Sequence, residues 1–153
     1  MGAVVIGFAL AAALTLSGPA VVTDGDTIRI QGQKVRLFGV DAPEAKQWCE
    51  DENRKPYACG MEAKAWLTWL LHNVQVLCKL ETKKDYYKRN LGVCYTDNID
   101  INEWMVGRGL ALAYVAYSRQ YLAVQVDAEA RGVGIWRGTF VAPWEWRAAR
   151  RKK

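Results

Sequence analysis

What most limits the fold of this chain is its punctuation: from Val21 onward, short stretches that alternate apolar and polar residues are cut off every few positions by turn formers. Thr27-Ile28-Arg29-Ile30 alternates as a half-buried strand does, with Asp24-Gly25 before it and Gly32 after it. Residues 33–40 (QKVRLFGV) form the next expected strand. Ala42-Pro43 ends it, because the residue before a proline is pushed out of the helical region. Residues 74–80 and 91–95 read as two more strands, joined through the charged segment 81–90 into a long hairpin, and residues 110–115 as a last short strand. Helical spacing occurs three times. Ala63, Trp66, Leu67, Leu70 and Leu71 recur before a stop at Asn73; residues 100–108 close at Gly109; residues 119–131 follow Ser118 as cap and end at Gly132. About five short strands plus helices predict a small α+β domain, a barrel with helices. The length of 153 residues, 51% hydrophobic and 24% charged, suits one core and excludes a largely disordered state.

Charge is spread unevenly. Lys and Arg total 21 against 16 Asp and Glu, a net +5 that favours an anionic partner without proving one. No ionisable side chain precedes Asp24, and residues 3–16 (AVVIGFALAAALTL) are apolar and end at Ser17, Gly18 and Pro19. This is the outline of a secretory leader, too short for an ordinary membrane span, with an uncleaved N-terminal anchor as the alternative. The expected organisation is a leader or anchor over residues 1–19, a domain over 20–146 and a basic tail over 147–153. Export places the chain outside the cell or in the periplasm, or tethers it to a membrane through the N-terminal segment.

Cys49, Cys59, Cys78 and Cys94 contain no C-x-x-C pair, which argues against a zinc site of the usual spacing. In an exported chain they are expected as disulfides, for which sequence allows three connectivities. Cys78 and Cys94 lie equally far from Tyr86, the centre of the hairpin, which pairs them and leaves Cys49 for Cys59. Four reduced buried thiols are the alternative in a cytosolic protein. His72, the one histidine, is expected at a helix C-terminus and supports no Ser-His-Asp machinery. Trp66, Trp69 and Trp136 are assigned to the core, whereas Trp144 and Trp146 beside the basic tail fit either a core or a stacking role.

Three clusters carry chemistry: residues 24–27 (DGDT), 36–44 (RLFGVDAPE) and 85–90 (DYYKRN). Each is ordinary alone. Together, Asp26 and Asp41 at strand edges offer oxygen ligands to one hard cation, Ca²⁺ or Mg²⁺. Glu44, just beyond the rigid Pro43, stands close enough to act on a water beside that ion as ligand or general base. Arg36 and Arg89 supply planar forks that match phosphate oxygens. A cation, carboxylates and two arginines are what phosphodiester cleavage requires.

In order and spacing, VVTDGDTI, VRLFGVDAPE, DYYKRNLG, GLALAY and GIW resemble the staphylococcal nuclease family from about Val21 to Trp136. The resemblance implies a five-stranded OB-fold barrel flanked by three α-helices, which cleaves DNA and RNA with one Ca²⁺ ion and leaves 3′-phosphate ends; a monomer is expected. Carried over by position, Asp26, Asp41 and the backbone carbonyl of Ala42 hold the ion. Glu44 is the general base, and Arg36 and Arg89 grip the phosphate. Tyr87 and Tyr114 line the nucleotide pocket. Three positions depart from the family: Ala42 replaces a Thr, Tyr86 replaces a Lys whose phosphate contact is either lost or taken over by Lys88, and Tyr114 is followed by Tyr117 one residue later than the pattern. Two other classes stay open from sequence: an inactive nucleic-acid-binding OB-fold module and an envelope interaction protein.

Overall fold

The computed structural model describes residues 14–152, so most of the apolar segment assigned to a leader lies outside the described residues. The chain forms β1 (Thr15–Asp24), β2 (Thr27–Ile30), β3 (Gln33–Leu37), β4 (Val40–Asp41), β5 (Cys49–Glu50), β6 (Pro56–Tyr57) and α1 (Cys59–Leu70). There follow β7 (Gln75–Leu80), β8 (Asn90–Thr96), β9 (Ile99–Asp100), α2 (Ile101–Gly107), β10 (Leu112–Ala113), α3 (Leu122–Arg131), a 3₁₀ turn (Gly134–Arg137) and α4 (Pro143–Arg151).

Strands β1, β2, β3, β7 and β8 close into a barrel. The order runs β3-β2-β1-β7-β8, and a parallel pairing of β3 with β8 completes the circle. β1 is long enough to serve two partners: its first half pairs with β7 as far as Pro19↔Gln75, and its second half pairs with β2 from Ala20↔Ile30. The change of partner falls at Gly18-Pro19, where the proline has no N–H to give to a ladder. Residues 15–19, grouped with the leader from sequence, are thus barrel strand here.

Ile28, Ile30, Val35, Leu37 and Val76 fill the barrel, and Leu67 of α1 and Ile101 and Met105 of α2 close its ends. Cys78 and Cys94, directly opposite each other on β7 and β8, are joined by a disulfide. Asn102 is a fully buried polar residue of this core. Its Nδ2 donates to the carbonyls of Phe38 and Gly92, at 2.9 and 3.1 Å, and its Oδ1 accepts from Cys94 N at 3.2 Å. α2 is fixed to β8 by these bonds.

A second, smaller core gathers Cys49, Cys59, Leu112 and Ile135 with Tyr57, Phe140 and Trp144 around them. Here the structure departs from sequence expectation. The polar stretch 46–58 is no mere surface loop: it holds the β5–β6 hairpin, a buried Gln47 and the Cys49–Cys59 disulfide. Residues 143–151 are a fourth helix with Pro143 in its first turn, not an extended tail. Trp66 and Trp69 are 40% and 65% exposed, because Ala63 and Leu67, one turn apart, form the buried stripe of α1. Trp66 instead leans on Trp104 and Arg108. α3 begins at Leu122, and Ser118 Oγ accepts from Gln120 N in the turn before it. No described helix is long and apolar enough to cross a membrane.

Asn102→Ala would take away the partner of the Cys94 N–H and of the Phe38 carbonyl inside the barrel, while Gly92 O keeps the Phe38 N–H. The expected loss is about 3 kcal/mol, read as a lower urea midpoint at unchanged slope.

Candidate active site

The site is built where the closing seam of the barrel meets the β2 and β4 ends. Arg36 lies on β3, paired with Thr27 on one side and Leu91 on the other. The same seam sets Asn90 opposite Val35, so Arg89 emerges beside the strand that carries Arg36. Asp26 sits at the turn before β2 and Asp41 at the end of β4, which is held by the pairing of Asp41 with Leu112.

These acids converge on Arg36. Its Nη1 lies 3.4 Å from Asp26 Oδ2, and its Nη2 donates to Asp41 Oδ1 at 3.1 Å. All three side chains are buried, Asp41 completely. Ala42 N donates to Asp26 Oδ2 at 3.0 Å, and Thr27 Oγ1 donates to Asp26 Oδ1 at 3.1 Å. Burial pushes the Asp26 carboxyl above the ordinary aspartate range; Arg36 opposes this and neighbouring Asp24 adds to it. Burial works against the charge of Arg36, but Asp26 and Asp41 outweigh it and raise that pKa further.

Close packing of backbone brings the other groups in. A Cβ on Gly25 would stand 2.8 Å from the Cβ atoms of Ala42 and Ala63, so only glycine lets the 24–27 turn lie on Ala42 and α1. A Cβ on Gly60 would collide with the Glu44 carbonyl oxygen, so glycine also seats the Glu44 loop on the start of α1. Gln47 holds that loop from within. Its N–H donates to Glu44 O at 2.8 Å, its Oε1 accepts from Glu44 N at 3.2 Å, and its Nε2 donates to Val141 O at 2.6 Å.

On the opposite wall Asp85 orients Arg89, accepting from its Nε at 2.7 Å and from its backbone N at 2.8 Å. The guanidinium stands 5.4 Å from the Tyr87 ring centre. Tyr114 and Tyr117 meet edge to face, and Tyr117 stacks on Phe38. A groove of about 840 Å³ results, lined by Asp26, Arg36, Glu44, Arg89, Tyr87 and Tyr114 together with Lys34, Tyr86, Tyr117, Arg147 and Arg151. Lys88 does not line it: its backbone is left-handed (φ 60°), and Tyr86 and Tyr87 face the groove instead.

Sequence reasoning missed Arg147. It is grouped with the basic tail above, yet α4 lays it across the acids. Nη1 donates to Asp41 Oδ1 at 2.9 Å and to Glu44 Oε1 at 2.8 Å, and Nη2 donates to Asp41 Oδ2 at 2.8 Å. Hydrogen bonds to Asp41, opposed by partial burial and reinforced by Glu44, hold its pKa well above the usual arginine value. The available signal was Ala142-Pro143, a helix start, with Trp144 and Arg147 three apart on one face. Gln47 was also missed, since it acts only through what the fold sets beside it; Asp85 stands in the 85–90 cluster, but its hold on Arg89 was not assigned.

Among the described residues no three His, Cys, Asp or Glu side chains form a ready-made cage for a metal. Asp26 and Asp41, gathered on Arg36, carry oxygen donors of the kind a hard cation takes.

Fold and groove together define a small OB-fold barrel whose working face sets buried acids and arginines beside an aromatic wall. The chain belongs to the staphylococcal nuclease family, matching the model described as staphylococcal nuclease homologue over residues 34–138. It is 38% identical over 129 residues to the succinoglycan biosynthesis protein ExoI of Rhizobium meliloti, covering 82% of this chain and 67% of that one. An uncharacterized endonuclease of Haemophilus influenzae is 36% identical over 135 residues, covering 82% and 69%. The staphylococcal-like nuclease CAN1 of Arabidopsis thaliana is 34% identical over 121 residues, covering 77% of this chain and 34% of the plant protein.

Arg36→Ala would strand Asp26 as a buried carboxylate without its cation, while Asp41 keeps Arg147. The expected destabilisation is about 3 kcal/mol at neutral pH, and adding Asp26→Asn to that variant should recover part of the lost urea midpoint.

Proposed function

We propose that the chain is a calcium-dependent endonuclease that hydrolyses phosphodiester bonds of DNA and RNA with little sequence preference and leaves 3′-phosphate ends. The observation that carries this reading is the convergence of Asp26, Arg36, Glu44 and Arg89 on one groove, with Asp41 buried against Arg36. Membership of the nuclease family supports it, as do relatives whose names are those of nucleases.

A calcium ion held by Asp26, Asp41 and the Ala42 carbonyl would supply positive charge against the phosphate oxygens. The chain does the rest. Arg36 on β3 and Arg89 just before β8 grip the phosphate from two sides. Glu44 takes a proton from the attacking water, whose oxygen bonds to phosphorus as the P–O5′ bond breaks. The phosphate stays on the 3′ side, and the departing 5′ oxygen takes up a proton from solvent. Tyr87 and Tyr114 offer ring faces to the sugar and base, contacts that every base can make. Two disulfides suit an oxidising compartment, so the working location is the exterior or the periplasm, reached through an N-terminal leader or anchor that lies before the barrel strand at Thr15. The enzyme acts as a monomer, because one chain supplies every group named.

Purified chain incubated with plasmid DNA and with RNA is expected to degrade both with Ca²⁺ and neither with chelator. Glu44→Gln and Arg89→Ala should each lower kcat by about a hundredfold or more with the circular dichroism spectrum unchanged. Near wild-type rates in Glu44→Gln would remove Glu44 as the base. DNA retarded in a gel but never cut would make the chain a binding module.

A further inference from the structure

Arg147 stands where the proposed cation is needed. A carboxylate has about four acceptor positions, two on each oxygen. On Asp41, Oδ1 accepts from both Arg36 and Arg147, and Oδ2 accepts from Arg147 again. Little of Asp41 is left for a metal. The same guanidinium also holds Glu44 Oε1, so one side chain occupies both the ligand and the base.

Arg36 and Arg147 differ in how they are held. Arg36 is rooted in a barrel strand and enclosed by Asp26, Asp41 and the Val40 carbonyl. Arg147 sits on the last described helix, with 30% of its side chain exposed. α4 is moored at its start, where Gln47 donates to Val141 O and Trp144 rests against Tyr114 with ring centres 5.7 Å apart. Beyond Arg147 the helix runs to exposed ends at Arg150 and Arg151. Arg147 is therefore the cation of the pair that can leave.

We propose that Arg147 is a resident counter-cation, a latch that a divalent ion must displace from Asp41 and that frees Glu44 in the same movement. The proposal rests on the metal reading of Asp26 and Asp41. It follows from two positive charges competing for one set of carboxylate oxygens: Arg147 holds the acids together while the ion is absent and weakens the binding of the ion by what its own bonds contribute. Loading of the metal and release of the base are then one event.

The test is calorimetric titration of Ca²⁺ into the full chain without substrate, for the wild type, Arg147→Gln, Arg147→Lys and Asp41→Asn. Arg147→Gln should bind Ca²⁺ about tenfold tighter, the size of one charge-assisted hydrogen bond. Arg147→Lys, which keeps the charge and loses the fork, should fall between it and the wild type. Asp41→Asn should abolish binding, which locates the ion. Thermal unfolding with and without Ca²⁺ gives the same ranking independently, and should Arg147→Gln fail to fold, Arg147→Lys carries the comparison. Equal affinity in wild type and both Arg147 variants overturns the latch and leaves the metal reading standing. Weaker binding in Arg147→Gln also overturns it and makes Arg147 a support of the site. Absence of Ca²⁺ binding in every protein, Arg147→Gln included, overturns the metal reading and the latch together.

Discussion

Arg36 is the side chain on which the working end of this barrel depends. A guanidinium buried on a strand is tolerable only with negative partners, and it draws Asp26 from the β1–β2 turn and Asp41 from the end of β4 into one cluster. Three elements that share no single ladder are thereby locked together. Burial still raises the Asp26 carboxyl pKa, with Arg36 working against it. Arg36 organises the acids, and Arg147 adds a second guanidinium on Asp41 and Glu44.

Around this cluster the structure spends its unusual residues on close approach. Gly25 and Gly60 bring backbone against backbone where any side chain would collide, and Gln47 fills the gap between the Glu44 loop and the segment leading to α4. The Cys49–Cys59 disulfide and the second core beneath it hold that loop against α1. The wall bearing Arg89 is held more simply, by Asp85 four residues earlier. Glu44 is thus placed by tertiary packing and Arg89 by local hydrogen bonding. That difference explains why the Glu44 loop needs a satellite core while the hairpin carrying Arg89 needs only its own charges.

Much of the barrel was legible in the chain. Alternation over residues 27–30 and 33–37, turn formers at Asp24-Gly25 and Gly32, and the symmetry of Cys78 and Cys94 about Tyr86 are local signals, and the strands lie where they point. The stretch 46–58 was read as surface because polar composition hides a buried Gln47 and a short hairpin. Trp66 and Trp69 were read as core rather than base-stacking, but Ala63 and Leu67 define the buried stripe of the helix. Lys88 was named as a stand-in for the family lysine that Tyr86 replaces, and the residues of that stretch that line the groove are Asp85, Tyr86, Tyr87 and Arg89.

By itself the sequence determined the strand spacing, the order of the acidic and basic motifs and hence the family, because each rests on residues close together in the chain. Tertiary structure alone decided that β3 closes on β8, which sets Arg89 beside Arg36, and that the last helix folds back to put Arg147 on Asp41 and Glu44. Arg147 and Asp41 are 106 residues apart. A charge near the end of a chain reads as a solvated terminus until the fold shows which buried acids it can reach.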